Sequence, residues 1–115
     1  MNDRKVISNN EFPVKTVSEI YNTYDFVPSF TIATDTTDYN LKSQKAASFL
    51  NVPKAWFIMI WSDQTVSIKF NDTSKPAITI DAGESPYEFK NMLLVDNIFI
   101  TNVSGNTANI KVMLV

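Results

Sequence analysis

From Phe30 to Val115, short runs of side chains alternate apolar and polar with a period of two, and each run ends in a polar turn. A period of two puts successive side chains on opposite faces of an extended chain, so these runs predict strands. Phe30, Ile32 and Thr34 alternate with Thr31 and Ala33. After the turn Asp35-Thr36-Thr37-Asp38, Tyr39 and Leu41 alternate with Asn40 and Lys42. Val66, Ile68 and Phe70 against Ser67 and Lys69 read as a half-buried strand. Ala77 to Ile80 reads as the next, with Ile78 and Ile80 inward, and Tyr87 with Phe89 as a short one beyond a turn over residues 81–86. Ile98, Ile100 and Asn102 share one side of a further strand. A turn at Ser104-Gly105-Asn106 then leads to a last strand with Ala108, Ile110, Val112 and Leu114 inward. About eight short strands, with turns roughly every 8–12 residues and no long helical pattern, predict an all-β fold. The expected architecture is a single antiparallel β-sandwich, jelly-roll-like, over residues 29–115. Residues 43–52 fit either a short helix or a packed loop stopped by Pro53, and residues 91–95 are less regular.

Lys54 to Ser62 departs from simple alternation because both of its faces are apolar. Trp56, Ile58 and Ile60 are expected on one side; Phe57, Met59 and Trp61 on the other. A two-layer core accepts only one face of a strand. The other needs a cover: residues 1–28, the segment 43–52, or another copy of the chain. Left open, it is the kind of apolar patch that marks an interface. An exposed tryptophan also suits stacking on a sugar ring. The plainest expectation is that Trp56 and Trp61 both lie in or just beneath the core.

Residues 1–28 form a separate region, an N-terminal arm or short helix. Met1 to Asn10 is polar, without the apolar stretch of a secretory signal. Beyond it, Phe12, Val14, Val17, Ile20, Tyr21 and Tyr24 are spaced loosely at three and four, which allows one or two helical turns over Ser18 to Tyr24. Pro13 and Pro28 bracket the stretch. Such an arm packs on its own domain or reaches a neighbouring subunit. The candidate interface is therefore Trp56, Phe57, Met59 and Trp61, with Phe12, Val14, Val17, Ile20 and Tyr21 of the arm.

The chemical inventory is thin. Cysteine and histidine are both absent, which removes thiolate and imidazole nucleophiles, bases and metal ligands together. Gly83 and Gly105 are the only glycines, so no glycine-rich phosphate loop exists. Asp35 with Asp38, and Asp81 with Glu84, are the remaining paired carboxylates. Turn formation is their expected role; a hydrolase would need them to face each other across a cleft. Calcium would suit such oxygens, yet no EF-hand-like spacing is present. No cofactor, metal or catalytic residue is expected. The net charge of −2 and scattered basic residues give no track for nucleic acid. No apolar run approaches the roughly 20 residues that span a bilayer. Asn71-Asp72-Thr73 and Asn102-Val103-Ser104 match the glycosylation acceptor pattern, but each asparagine stands where a turn or strand end needs one.

One resemblance rests on the order of these segments. Thr31-Ile32-Ala33-Thr34-Asp35-Thr36-Thr37-Asp38-Tyr39 leads into the dense apolar strand, and Val66-Ser67-Ile68-Lys69-Phe70-Asn71 follows. Then come Ile78-Thr79-Ile80-Asp81-Ala82-Gly83-Glu84-Ser85-Pro86-Tyr87-Glu88-Phe89 and the closing hairpin over residues 97–112. Over residues 30–115 this is similar to small β-sandwich virion proteins of tailed bacteriophages, the type found as head decoration or fibre, collar and tail accessory subunits. The resemblance implies a non-enzymatic structural role in the virion after synthesis in the host cytoplasm. It also implies homo-oligomers, dimer or trimer, attached to other virion proteins, often through an N-terminal arm. It carries over no site residues. A carbohydrate-binding module for host recognition, with a glycan as partner, is the alternative expectation.

Overall fold

The computed structural model describes residues 24–90 and 94–115. Among them are eight strands: β1 (Asp25–Ile32), β2 (Thr36–Asn40), β3 (Ile58–Ser62), β4 (Val66–Phe70), β5 (Ile78–Ile80), β6 (Tyr87–Phe89), β7 (Ile98–Asn102) and β8 (Ala108–Leu114). A single helical turn, α1 (Leu41–Gln44), follows β2. The strands form two four-stranded sheets ordered β1-β8-β3-β6 and β2-β7-β4-β5, every pairing antiparallel. Successive strands thus alternate between the sheets, except β4 and β5, which are neighbours in the second; this is the strand order of an eight-stranded jelly roll.

The expected inward residues fill the space between the sheets. Ile58 and Ile60 of β3, Ile98 and Ile100 of β7, and Ala108, Ile110, Val112 and Leu114 of β8 are all fully buried. Each of these isoleucine, valine and leucine side chains contributes roughly 1.5–3 kcal/mol by leaving water. Ile78, expected inward, is exposed, while Ile80 on the same edge strand is fully buried.

Asn102 is the polar exception inside. Its Nδ2 donates to the carbonyls of Ile32 (2.9 Å) and Asn106 (2.8 Å), and its Oδ1 accepts from the Ser104 N–H at 3.0 Å. One amide therefore ties β1 to the β7–β8 hairpin, and this buried, fully engaged side chain is no glycan acceptor in the folded chain. The other match, Asn71, donates its Nδ2 to the Leu94 carbonyl and accepts from the Asp96 N–H.

Three local expectations are corrected, and one left open, that of residues 43–52, is decided. First, β1 starts at Asp25, so residues 25–28 of the expected arm belong to the sandwich; Pro28 is accommodated in the register shift between Val27 and Phe30. Pro has no N–H to give the ladder, and such an irregularity on an edge strand needs none. Second, Leu41 leaves the strand pattern. It opens α1, capped by the Asn40 side chain accepting from Ser43 N–H at 3.1 Å, and its side chain is fully buried. Third, residues 45–52 are a packed loop. Phe49 and Val52 enter the core while the buried Asp25 carboxylate accepts from the Asn51 N–H (2.8 Å), the Asn51 side-chain amide (3.0 Å) and the Val52 N–H (2.7 Å). Charge-assisted bonds of this kind secure a loop more firmly than neutral ones. Fourth, Trp56 does not face the way Ile58 and Ile60 do. The N–H groups of Trp56 (3.0 Å) and Phe57 (3.2 Å) both donate to the Val115 carbonyl. Two donors on one acceptor are a β-bulge, and the extra residue breaks the alternation. Ala55, beyond the bulge, pairs instead with Val95 on the approach to β7.

Candidate functional site

The outer face of the first sheet is built from the residues that alternate with its core. On β3, Ile58, Ile60 and Ser62 are buried, while Met59 and Trp61 face outward and are half-buried. On β8 the outward set is Asn109, Lys111 and Met113; on β1 it includes Phe26. Cross-strand register lines these up. Phe26 pairs with Met113, Met113 with Met59, and Met59 with Glu88, a row spanning all four strands. Phe57 extends the apolar surface one row toward the end of the sheet, where its N–H and C=O both bond Val115. Trp61 sits beside Lys111 in the opposite direction.

These side chains interact across the sheet. The Phe26 and Trp61 rings meet edge to face, centroids 6.4 Å apart, over the intervening strand β8. The Lys111 ammonium lies 5.3 Å from the Trp61 ring centre, so one face of the indole is occupied by a cation. Farther along, the face turns polar. Asp63 accepts from both the backbone and the side-chain amide of Asn109, each at 2.7 Å. Those bonds, the side-chain one foremost, hold the Asp63 carboxyl below its ordinary range.

At the apolar end, the face continues around a corner. Tyr24, Asp25, Phe26, Ala47, Leu50 and Asn51 line a cleft of about 490 Å³ beside β1. Tyr24, Phe26, Leu50, Trp56 and Leu94 are all exposed. All five lie at the end of the sandwich where β1 begins and β8 finishes.

Four of the expected interface residues are thus placed. Phe57, Met59 and Trp61 share the outer face, as their spacing implied. Trp56, 40% exposed, falls at the bulge on the same side as Phe57, with Ala55 beyond it buried. Neither tryptophan belongs to the buried core, contrary to the plainest expectation. The loop 45–52 is not the cover of this face either, since its apolar residues Phe49 and Val52 point into the core. Phe12, Val14, Val17, Ile20 and Tyr21 lie outside the described residues. Two members of the site were missed. Met113 stands in phase with the outward Asn109 and Lys111 and was readable from β8 alone. Phe26 was hidden in the segment assigned to the arm.

The carboxylate pairs do not converge. Asp35 and Asp38 adopt left-handed backbone angles around the start of β2, and Asp38 is bound to Lys69 at 3.1 Å. Asp81 and Glu84 flank the helical turn after β5, where the Glu84 carboxylate accepts from the Asp81 N–H. β2 and β5 are opposite edges of the second sheet, with β7 and β4 between them. Among the described residues no three acidic side chains are grouped closely enough to hold a metal ion. No helix of the described residues is long and apolar enough to cross a membrane.

Neither a protein-family model nor a curated protein matches this chain.

Proposed function

We propose that this protein is a non-enzymatic structural subunit of a bacteriophage particle, self-associating through the outer face of its first sheet and attaching there to a larger assembly. The observation that carries the reading is the cross-strand apolar row Phe26–Met113–Met59, extended by Phe57 and Trp61. A contiguous apolar area on a sheet face is the form an interface takes before its partner arrives. The jelly-roll strand order supports the virion reading by analogy, since capsid domains use it widely, although fold alone assigns no function.

The test has two parts. Sedimentation of the full chain should give a dimer or trimer whose population grows with concentration. Mass spectrometry of phage particles from the producing host should find the chain among the structural proteins. Particles complete in their other components but lacking this chain would remove the virion assignment.

A carbohydrate-binding module is the second reading, favoured by the exposed ring of Trp56 and by Tyr24 beside the polar Asn51 in the cleft. The same analogy supports it, because lectin domains also use jelly rolls. A glycan array read with the full chain should then return a hit that Trp56→Ala or Tyr24→Ala abolishes; an array without hits removes this reading.

A further inference from the structure

The two methionines among the described residues, Met59 of β3 and Met113 of β8, are cross-strand partners. Residues directly opposite on neighbouring antiparallel strands hold their Cβ atoms about 5 Å apart, so the two thioethers rise side by side from the outer face of the first sheet. Both are half-buried, which leaves part of each side chain open to small solutes. No thioether stands between the sheets: among the described residues the core is built from Val, Ile, Leu, Ala and Phe.

In a chain without cysteine, thioethers are the soft sulfur nucleophiles. The sulfur lone pair attacks one oxygen of hydrogen peroxide and the O–O bond breaks. That oxygen stays on sulfur, and the other leaves with both hydrogens as water. Sulfur is oxidised by two electrons and the peroxide is reduced. The product is a sulfoxide, polar where the thioether was apolar.

Met113 and Met59 are two of the three residues in the row that starts at Phe26. None of those three side chains carries an N–H or O–H donor, and the Lys111 ammonium is held over the Trp61 ring. A partner covering the oxidised row would bury two acceptor oxygens that the row itself cannot satisfy. We infer that Met59 and Met113 form a paired modification site, oxidised by peroxides, which turns this face from apolar to polar and leaves the fold intact. The fold is spared because the reacting sulfurs lie outside the core. The effect on assembly rests on the self-association proposed above and adds its regulation: oxidation of the uncovered face weakens it, and reduction restores it.

The test treats the dilute full chain with hydrogen peroxide, at a dose that fully oxidises free methionine. Peptide mapping should find one added oxygen on Met59 and one on Met113, and circular dichroism should show an unchanged β spectrum. Sedimentation should give a self-association constant weakened at least tenfold. Methionine sulfoxide reductases of both epimer specificities should restore it. The double variant Met59→Leu/Met113→Leu, close in side-chain volume and still carrying Met1 and Met92, should associate as the native chain does and ignore peroxide. If either sulfur stays unmodified, or the β spectrum collapses, the inference is wrong. Full oxidation with unchanged association, or equal weakening of the double variant, also overturns it while self-association stands. A native chain that is monomeric before any peroxide is added overturns this inference and the self-association together.

Discussion

The two outer faces of the sandwich come from the same strand alternation and end up with opposite characters. On the second sheet, the outward positions include Ser67 and Lys69 of β4, Thr79 of β5, and Phe99 and Thr101 of β7. Thr101, Ser67 and Thr79 form a polar row across three strands, and Lys69 bridges to Asp38. On the first sheet the corresponding row is Phe26, Met113 and Met59. Both inner faces are equally apolar, so core formation does not explain the difference. A sheet face that only meets water carries hydroxyls and paired charges. One that carries rings and thioethers loses free energy in water until something covers it.

The largest effect that sharpens this comparison lies within one strand. Ile60→Ala should cost about 2–5 kcal/mol of folding stability, because it leaves a cavity between the sheets. Met59→Ala, one position away on the outer face, should cost the isolated subunit under about 1 kcal/mol. Urea denaturation of both variants in dilute solution measures the contrast, and equal losses would mean Met59 is core.

Next come charges placed on each face. Met59→Asp should weaken self-association at least tenfold, about 1.4 kcal/mol, while Ser67→Asp leaves it unchanged. Sedimentation over a concentration series reads both. Equal weakening would show that the two faces are not functionally distinct.

The ion pair on the polar face is a smaller matter. Lys69→Ala should lower stability by about 1 kcal/mol or less, since Asp38–Lys69 is partly solvated. That loss should shrink as salt is raised in thermal melts.

The smallest effect is a pH dependence at the polar end of the first face. The folded-state pKa of Asp63 lies below its ordinary value because Asn109 donates two bonds to it. Its contribution is therefore present above the ordinary carboxylate range and is lost as pH falls through the lower folded value. The stability difference between the native chain and Asp63→Asn should narrow as acid is added below about pH 4. Denaturation midpoints at several pH values test this, and a difference that widens in acid would show the sign to be wrong.

Much of the interior was legible because alternation is a local signal. The inward residues of β7 and β8 follow from counting by two, and Asn102 was placed on the correct side although its role was not. The role needed the Ile32 and Asn106 carbonyls, which come from elsewhere in the fold. The site was legible in part. Phe57, Met59 and Trp61 were readable as one face, whereas Trp56 was misassigned because a bulge depends on the partner strand. Asp25 fell within residues 1–28, read as an arm or short helix; only the folded loop 45–52 gives its carboxylate the amides of Asn51 and Val52.

What the amino-acid order determined by itself is the strand periodicity, the side chains available for the core and the absence of cysteine and histidine. These are properties of each segment and need no neighbour. The tertiary structure alone decided which strands pair, where the register slips and which outward residues meet. The Val115 carbonyl receives two amides, Ala55 crosses to Val95, and Phe26 reaches Trp61 over β8. Each of these joins residues far apart in the chain, and a contact of that kind exists only once the two sheets have closed on one another.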